Sequence, residues 1–125
     1  MIKQKSGRII NVASISGMIV NKGQEGLAPF SSAKAGVILL TKVLAIEWAK
    51  YNIQVNCISP GYMRTAAMKE LVEDPVMYQK LTDLTPMGRI GEPDELRGVI
   101  VFLASDASSF MTGHNLVVDG GHTAW

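Results

Sequence analysis

Lys34 sits where a charge has to be paired, brought to a rim or put to use. It lies in "LAPFSSAKAG", residues 27–36, near the start of a predicted helix running from near Phe30 to Lys50. On a helical wheel its neighbours are Val37, Ile38, Thr41, Ala45 and Trp48, whereas Lys42, Glu47 and Lys50 form a polar face elsewhere. An ammonium on an apolar stripe costs free energy unless it is paired or reaches water. One reading lays the Lys34 stem on the apolar surface and puts its head in solvent. The other puts the charge at the mouth of a binding crevice. One turn earlier on the same face stands Phe30, an aromatic ring with no proton to give.

The elements around these residues favour the crevice. "RIINVA" (8–13) is short and β-branched and reads as a strand buried on both faces. A loop over 14–29 follows, carrying Gly17, Gly23, Gly26 and Pro29, and then the helix. "IQVNCIS" (53–59) reads as a second buried strand, stopped by Pro60-Gly61. Residues 62–91 read as one or two short helices and loops, with Pro75 and Pro86 as breakers. "EPDELRGVIVFLAS" (92–105) reads as a helix with Pro93 at its first position and acids in its first turn. "NLVVD" (115–119) is a third strand, closed by Gly120-Gly121. The β-α-β-α-α-β order predicts right-handed crossovers and a parallel sheet with helices on its faces. Ligands of such folds bind outside the carboxyl ends of the strands. Ser14 follows the first strand, Lys34 starts the next helix and Pro60-Gly61 ends the second strand, so all three are expected at one crevice.

Composition narrows the function classes. The chain has 125 residues, 47% apolar and 18% charged, with a net charge of +1, a globular composition without a basic cluster for nucleic acid. Its longest unbroken apolar run, Val99–Ala104, is six residues, so no membrane span is expected, and "MIKQKSGRII" lacks the apolar core of a signal peptide. The single cysteine, Cys57, rules out an internal disulfide; it reads as a small buried hydrophobe in a reducing compartment, the cytoplasm. His114 and His122 lack a second ligand pair, so no metal site is expected. Asp119 with Gly120-Gly121 reads as a tight turn and Arg89 as an ion-pair or loop contact. The methionines clustered in 63–87 suit either a mobile substrate lid or gap-filling.

Six segments occur in order over nearly the whole chain: "NVASISG" (11–17), "FSSAKAG" (30–36), "NCISPGYMRT" (56–65), "PMGRIGEPDEL" (86–96), "FLASDASSFMTG" (102–113) and "VDGG" (118–121). Together they resemble the C-terminal half of a short-chain dehydrogenase/reductase. The ending "LVVDGGHTAW" and the stretch "TPMGRIGEPDEL" look most like the family's sugar-acid and polyol dehydrogenases, with its 3-oxoacyl-carrier-protein reductases close behind. The resemblance implies an α/β fold: half of a doubly wound, Rossmann-like parallel sheet, three strands with flanking helices. It implies NAD or NADP as cofactor, a small hydroxy compound or ketone as substrate, and homo-oligomers formed through helix 30–50. Ser14 matches the serine that bonds the reacting oxygen. Lys34 matches the lysine that holds the nicotinamide ribose and lowers the pKa of a catalytic tyrosine. Pro60, Gly61 and Met63 match the loop along the nicotinamide, and Thr65 the threonine that bonds the carboxamide or a phosphate. Ser16, Leu27 and Tyr62 are the expected substrate contacts.

Two departures bear on activity. Phe30 stands at the position of the catalytic tyrosine, and positions 15–50 contain no tyrosine; Tyr62 is the nearest substitute. The chain also has no GxGxxG, its twelve glycines being scattered, and no counterpart of the family's N-terminal dinucleotide-binding half. Residues 1–125 are therefore expected to be a partial domain: a truncated product, a fragment or one piece of a split protein. The expected function is a weakened or inactive oxidoreductase, with a non-catalytic oligomerising or partner-binding remnant, or a non-functional truncation, as the alternatives.

Overall fold

The computed structural model describes residues 1–21 and 26–125, so Gly23, assigned above to the first loop, lies outside the described residues. Three parallel strands, β1 (Gly7–Val12), β2 (Ile53–Pro60) and β3 (Asn115–Val118), lie in the order β1-β2-β3. β1 runs beside β2 from Gly7 opposite Ile53 to Val12 opposite Ile58, and β3 beside β2 from Asn115 opposite Cys57 to Val118 opposite Pro60. This is the expected half of a doubly wound sheet, and it brings the three carboxyl ends to one edge.

Helix α1 (Ala28–Trp48) covers one face of the sheet. Its first turn holds Pro29, which needs no helical N–H partner there; the helix therefore starts before Phe30, and Pro29 belongs to it and not to the loop. It ends in a 3-10 turn over Ala49–Tyr51, closed by Asn52 in the left-handed conformation at φ 56°. Ala45 packs with Ile53 and Val55 in the core, with Ile9, Leu44, Trp48 and Tyr51 around them. The buried Thr41 hydroxyl donates to Val37 O at 2.8 Å and accepts from Asn11 Nδ2 at 2.9 Å, which satisfies a polar group on that stripe. By length and composition Ala28–Tyr51 is apolar enough to cross a membrane, with a mean hydropathy of 1.4. Lys34, Lys42 and Glu47 hide this by breaking the apolar runs. Its packing on β2 is that of a sheet-covering helix.

Arg8, on the other face of β1, donates to Asp106 at 2.9 Å, in the turn that follows α4 (Arg97–Ala104). The predicted helix over 92–105 is in fact two pieces, a 3-10 turn at Pro93–Leu96 and then α4. Pro75 is likewise a starter and not a breaker. It opens α3 (Pro75–Asp83) behind α2 (Lys69–Glu73), with the Asp74 carboxylate accepting from Val76 N and Met77 N.

β1 is not buried on both faces. Its residues are half-buried, and Val12 is 55% exposed. The strand pairs with another strand only on its β2 side among the described residues, and local sequence carries no information about what lies along the other edge.

Arg89 grips Glu95 with both guanidinium nitrogens, at 2.8 and 2.7 Å, and Glu92 N–H donates to the same carboxylate at 2.8 Å. The Arg89 hydrogen bond, seconded by that backbone N–H, lowers the Glu95 pKa from 4.5 to about 2. Folded Glu95 holds its proton less tightly than unfolded Glu95. Its stabilising contribution is therefore complete above the unfolded value and is lost as pH falls from 4.5 toward about 2. Melting followed by circular dichroism should show the wild-type chain losing more thermal stability across that window than Glu95→Gln. The difference should be modest, because both side chains are close to half exposed. Parallel pH profiles for the two chains would exclude this role.

Candidate functional site

A groove of about 760 Å³ opens at the carboxyl edge of the sheet. Its lining includes every site residue expected from sequence: Ser14, Ser16, Leu27, Phe30, Lys34, Pro60, Gly61, Tyr62, Met63 and Thr65. They arrive on separate elements. Ser14 follows β1, Leu27 and Phe30 belong to the cap and first turn of α1, Lys34 lies one turn on, Pro60 ends β2 and residues 61–65 leave it. Two close approaches hold these elements together. A Cβ at Gly17 would stand 2.6 Å from the Lys34 backbone carbon, and one at Gly61 would stand 2.7 Å from Asp119 Cα. Only a residue without a side chain lets the Ser14 loop lie on α1, or the β2 end lie on the β3 turn.

Lys34 lies at the groove. Its Nζ donates to Val12 O, the last carbonyl of β1, at 3.0 Å and stands 5.6 Å from the centre of the Phe30 ring. That is within cation–π range. One of three ammonium hydrogens is thus used within the chain, which leaves donors for a ligand in the groove. Ser14 Oγ accepts from Ser16 N at 3.2 Å and caps the 3-10 turn Ile15–Gly17. Among the described residues its own hydrogen has no acceptor, so it remains available to an oxygen bound in the groove. Phe30 is 44% exposed and presents carbon only.

Three expected contacts differ in detail. Ser16 is buried and its hydroxyl accepts from Asn21 Nδ2 at 3.0 Å, so its hydroxyl is engaged inside the loop. The Tyr62 ring lines the groove but its hydroxyl is buried, with no partner among the described residues, and burial raises its pKa. In this conformation it does not present a proton to a ligand in the groove. Thr65 lies at the rim without a capping hydrogen bond. Met63, Met68 and Met77 line the same groove.

Other side chains stand apart from the chemistry. Cys57 is fully buried, donates to Asn115 Oδ1 at 3.2 Å, and has its pKa raised by burial, as an inert thiol should. Burial pushes the Asp119 pKa up, but the hydrogen bonds from Thr123 and Gly121 outweigh this and lower it; its carboxylate ties the turn after β3. Among the described residues no group of three His, Cys, Asp or Glu side chains could hold a metal. Sequence reasoning missed Asn21 and treated His122 only as a metal candidate. His122 is buried, bonded through Nε2 to Asn21 Oδ1 at 3.1 Å and edge-on to Tyr62.

A family model described as enoyl-(acyl carrier protein) reductase matches residues 1–123. The chain is 42% identical over 125 residues to a galactitol 2-dehydrogenase (L-tagatose-forming) from Cereibacter sphaeroides, covering 100% of this chain and 49% of that protein. It superposes with a TM-score of 0.93, at 40% identity, on a gluconate 5-dehydrogenase from Burkholderia cenocepacia solved with NADP and tartrate, covering 99% of this chain and 48% of the other. A short-chain type dehydrogenase/reductase from Mycobacterium marinum is 45% identical with a TM-score of 0.86, covering 99% and 48%. The chain thus spans about half the length of the relatives it matches.

Proposed function

The chain belongs to the short-chain dehydrogenase/reductase family, and on that premise we propose that its groove is the nicotinamide- and substrate-side half of an NAD(P)-dependent oxidoreductase site acting on a sugar acid, polyol or related hydroxy compound. The observation that carries this reading is the convergence of Ser14, Lys34, Pro60, Gly61, Met63 and Thr65 on one groove outside the strand ends. The groove suits the nicotinamide end of a dinucleotide: it offers a cation, a free hydroxyl donor and a backbone kept close by Gly61. When bound, that group supplies or accepts a hydride. Ser14 Oγ–H is placed to donate to the oxygen of a substrate carbonyl or alcohol. Lys34 is placed to hold a ribose hydroxyl and to make the site electropositive. Phe30 shapes the wall and moves no proton, so the general-acid step is weakened or lost.

The 125 residues contain no glycine-rich phosphate turn, so a pyrophosphate has no helix N-terminus of that kind to rest on. Fluorescence titration of the chain with NADPH or NADH should therefore show no saturation below about 1 mM. Adding the N-terminal half of a related dehydrogenase should bring binding into the micromolar range. Micromolar binding by the 125 residues alone, or no gain from a half shown to associate, would overturn the reading. A second reading, a non-catalytic partner-binding unit, draws on Phe30 and on the exposed apolar residues of α1, among them Leu39 and Ile46.

A further inference from the structure

Two buried side-chain atoms have no hydrogen-bond partner among the described residues: the Tyr62 hydroxyl and His122 Nδ1. They belong to rings in edge-to-face contact, with centroids 5.2 Å apart and an interplanar angle of 88°. The adjacent bonds decide which atom is the donor. Asn21 Nδ2 donates to Ser16 Oγ at 3.0 Å, so the amide turns its oxygen to His122 Nε2, 3.1 Å away. Nε2 therefore carries the hydrogen, and in the neutral ring Nδ1 is a bare acceptor. The Tyr62 hydroxyl is a donor with nothing to donate to. Each orphan forfeits its hydration without compensation, and each supplies what the other lacks.

We propose that one buried water bridges the Tyr62 hydroxyl to His122 Nδ1, closing a buried chain Tyr62–water–His122–Asn21–Ser16 with His122 as its hub. The chain joins the loops after all three strands: Ser16 and Asn21 follow β1, Tyr62 follows β2 and His122 follows β3. It ends beside Ser14, because Ser16 N–H donates to Ser14 Oγ at 3.2 Å. His122 is thus a positioning residue. Through Asn21 and Ser16 it holds the Ser14 hydroxyl, and through Tyr62 it holds the opposite groove wall. Calling that groove a substrate site rests on the function proposed above; the chain of hydrogen bonds does not. A rival acceptor for Tyr62 is water in a neighbouring cavity of about 90 Å³, which Tyr62 lines together with Met87, Arg89 and Gly120.

The protein has two histidines, His114 and His122, so histidine labelled with ¹⁵N gives a readable spectrum, and magic-angle spinning tolerates self-association. The spectrum is expected to show His122 in the Nε2–H form. Tyr62→Phe removes one oxygen and keeps the ring, and it should move the Nδ1 resonance toward that of an unbonded acceptor. Hydrogen exchange read by mass spectrometry supplies a second readout. His122→Phe should speed exchange at Ser16 and Gly17 by at least about tenfold, the sign of a lost local brace. Exchange along β2 should stay as in the wild type, and His122→Gln, which restores a donor to Asn21, should recover part of the protection. An Nδ1–H tautomer, or an Nδ1 resonance unmoved in Tyr62→Phe, would overturn the proposal, the second result handing Tyr62 to the cavity water. Unchanged exchange at Ser16 and Gly17 in a folded His122→Phe would overturn the positioning role. If His122→Phe does not fold, the Tyr62→Phe spectrum decides alone.

Discussion

Phe30→Tyr should raise hydride-transfer activity by about 100-fold or more when the chain is paired with the N-terminal half of a related dehydrogenase. Reducing a ketone places negative charge on its oxygen as hydride reaches its carbon, and a positioned proton donor is worth roughly 10²–10⁴-fold. The surroundings of position 30 already suit a phenol. Lys34 Nζ stands 5.6 Å from the Phe30 ring centre, held there by Val12 O, so a phenol at that position would have a cation nearby to favour its ionised form. Among the described residues the Ser14 hydroxyl hydrogen has no acceptor, which leaves it for the same ketone oxygen. Adding Lys34→Ala to Phe30→Tyr should remove most of the gain, whereas Lys34→Ala in the Phe30 background should cost mainly cofactor affinity. Steady-state kinetics of the four chains separates these effects. Equal kcat for Phe30 and Phe30→Tyr, in assemblies that bind cofactor equally, would mean that the proton comes from another group.

The convergence behind that prediction was legible because it follows from chain order. Ser14, Lys34 and Pro60 each stand where a strand ends or a helix begins, and parallel strands send all such positions to one edge of the sheet. The Lys34 side was legible from the wheel: Thr41 and Ala45, its predicted neighbours, are the buried residues of α1. What stayed hidden depends on contacts between distant positions. Asn21 and His122 meet across 101 positions, and neither carries a local pattern that announces the other. The Ser16 hydroxyl is engaged by the same Asn21, and the Tyr62 hydroxyl is buried beside His122, neither of which residue type alone can reveal. The strand "RIINVA" has the composition of a fully buried strand, yet its burial depends on what lies along an edge that its own residues do not describe.

That edge and the outer face of α1 should make the 125-residue chain self-associate at micromolar concentration. β1 has hydrogen-bonding groups on one side that pair with no strand among the described residues, and Val12 at its end is exposed. On α1, Leu39, Leu40, Val43 and Ile46 are 63%, 51%, 44% and 80% exposed, and their spacing puts them on one stripe. Scattered apolar residues on a surface need no partner, but a contiguous helix stripe and an open strand edge are two routes to association. The routes differ in chemistry, so they can be separated. Leu39→Lys with Ile46→Lys places two charges on the helix stripe and leaves the strand untouched. If the helix carries the contact, sedimentation velocity should show the wild-type chain as an oligomer and the double variant as a smaller species with an unchanged far-ultraviolet spectrum. If the strand edge carries it, the double variant should remain associated, and a charged substitution on β1 should be needed to disperse it. A wild-type chain that sediments as a sharp monomer and melts cooperatively would show that neither surface drives association.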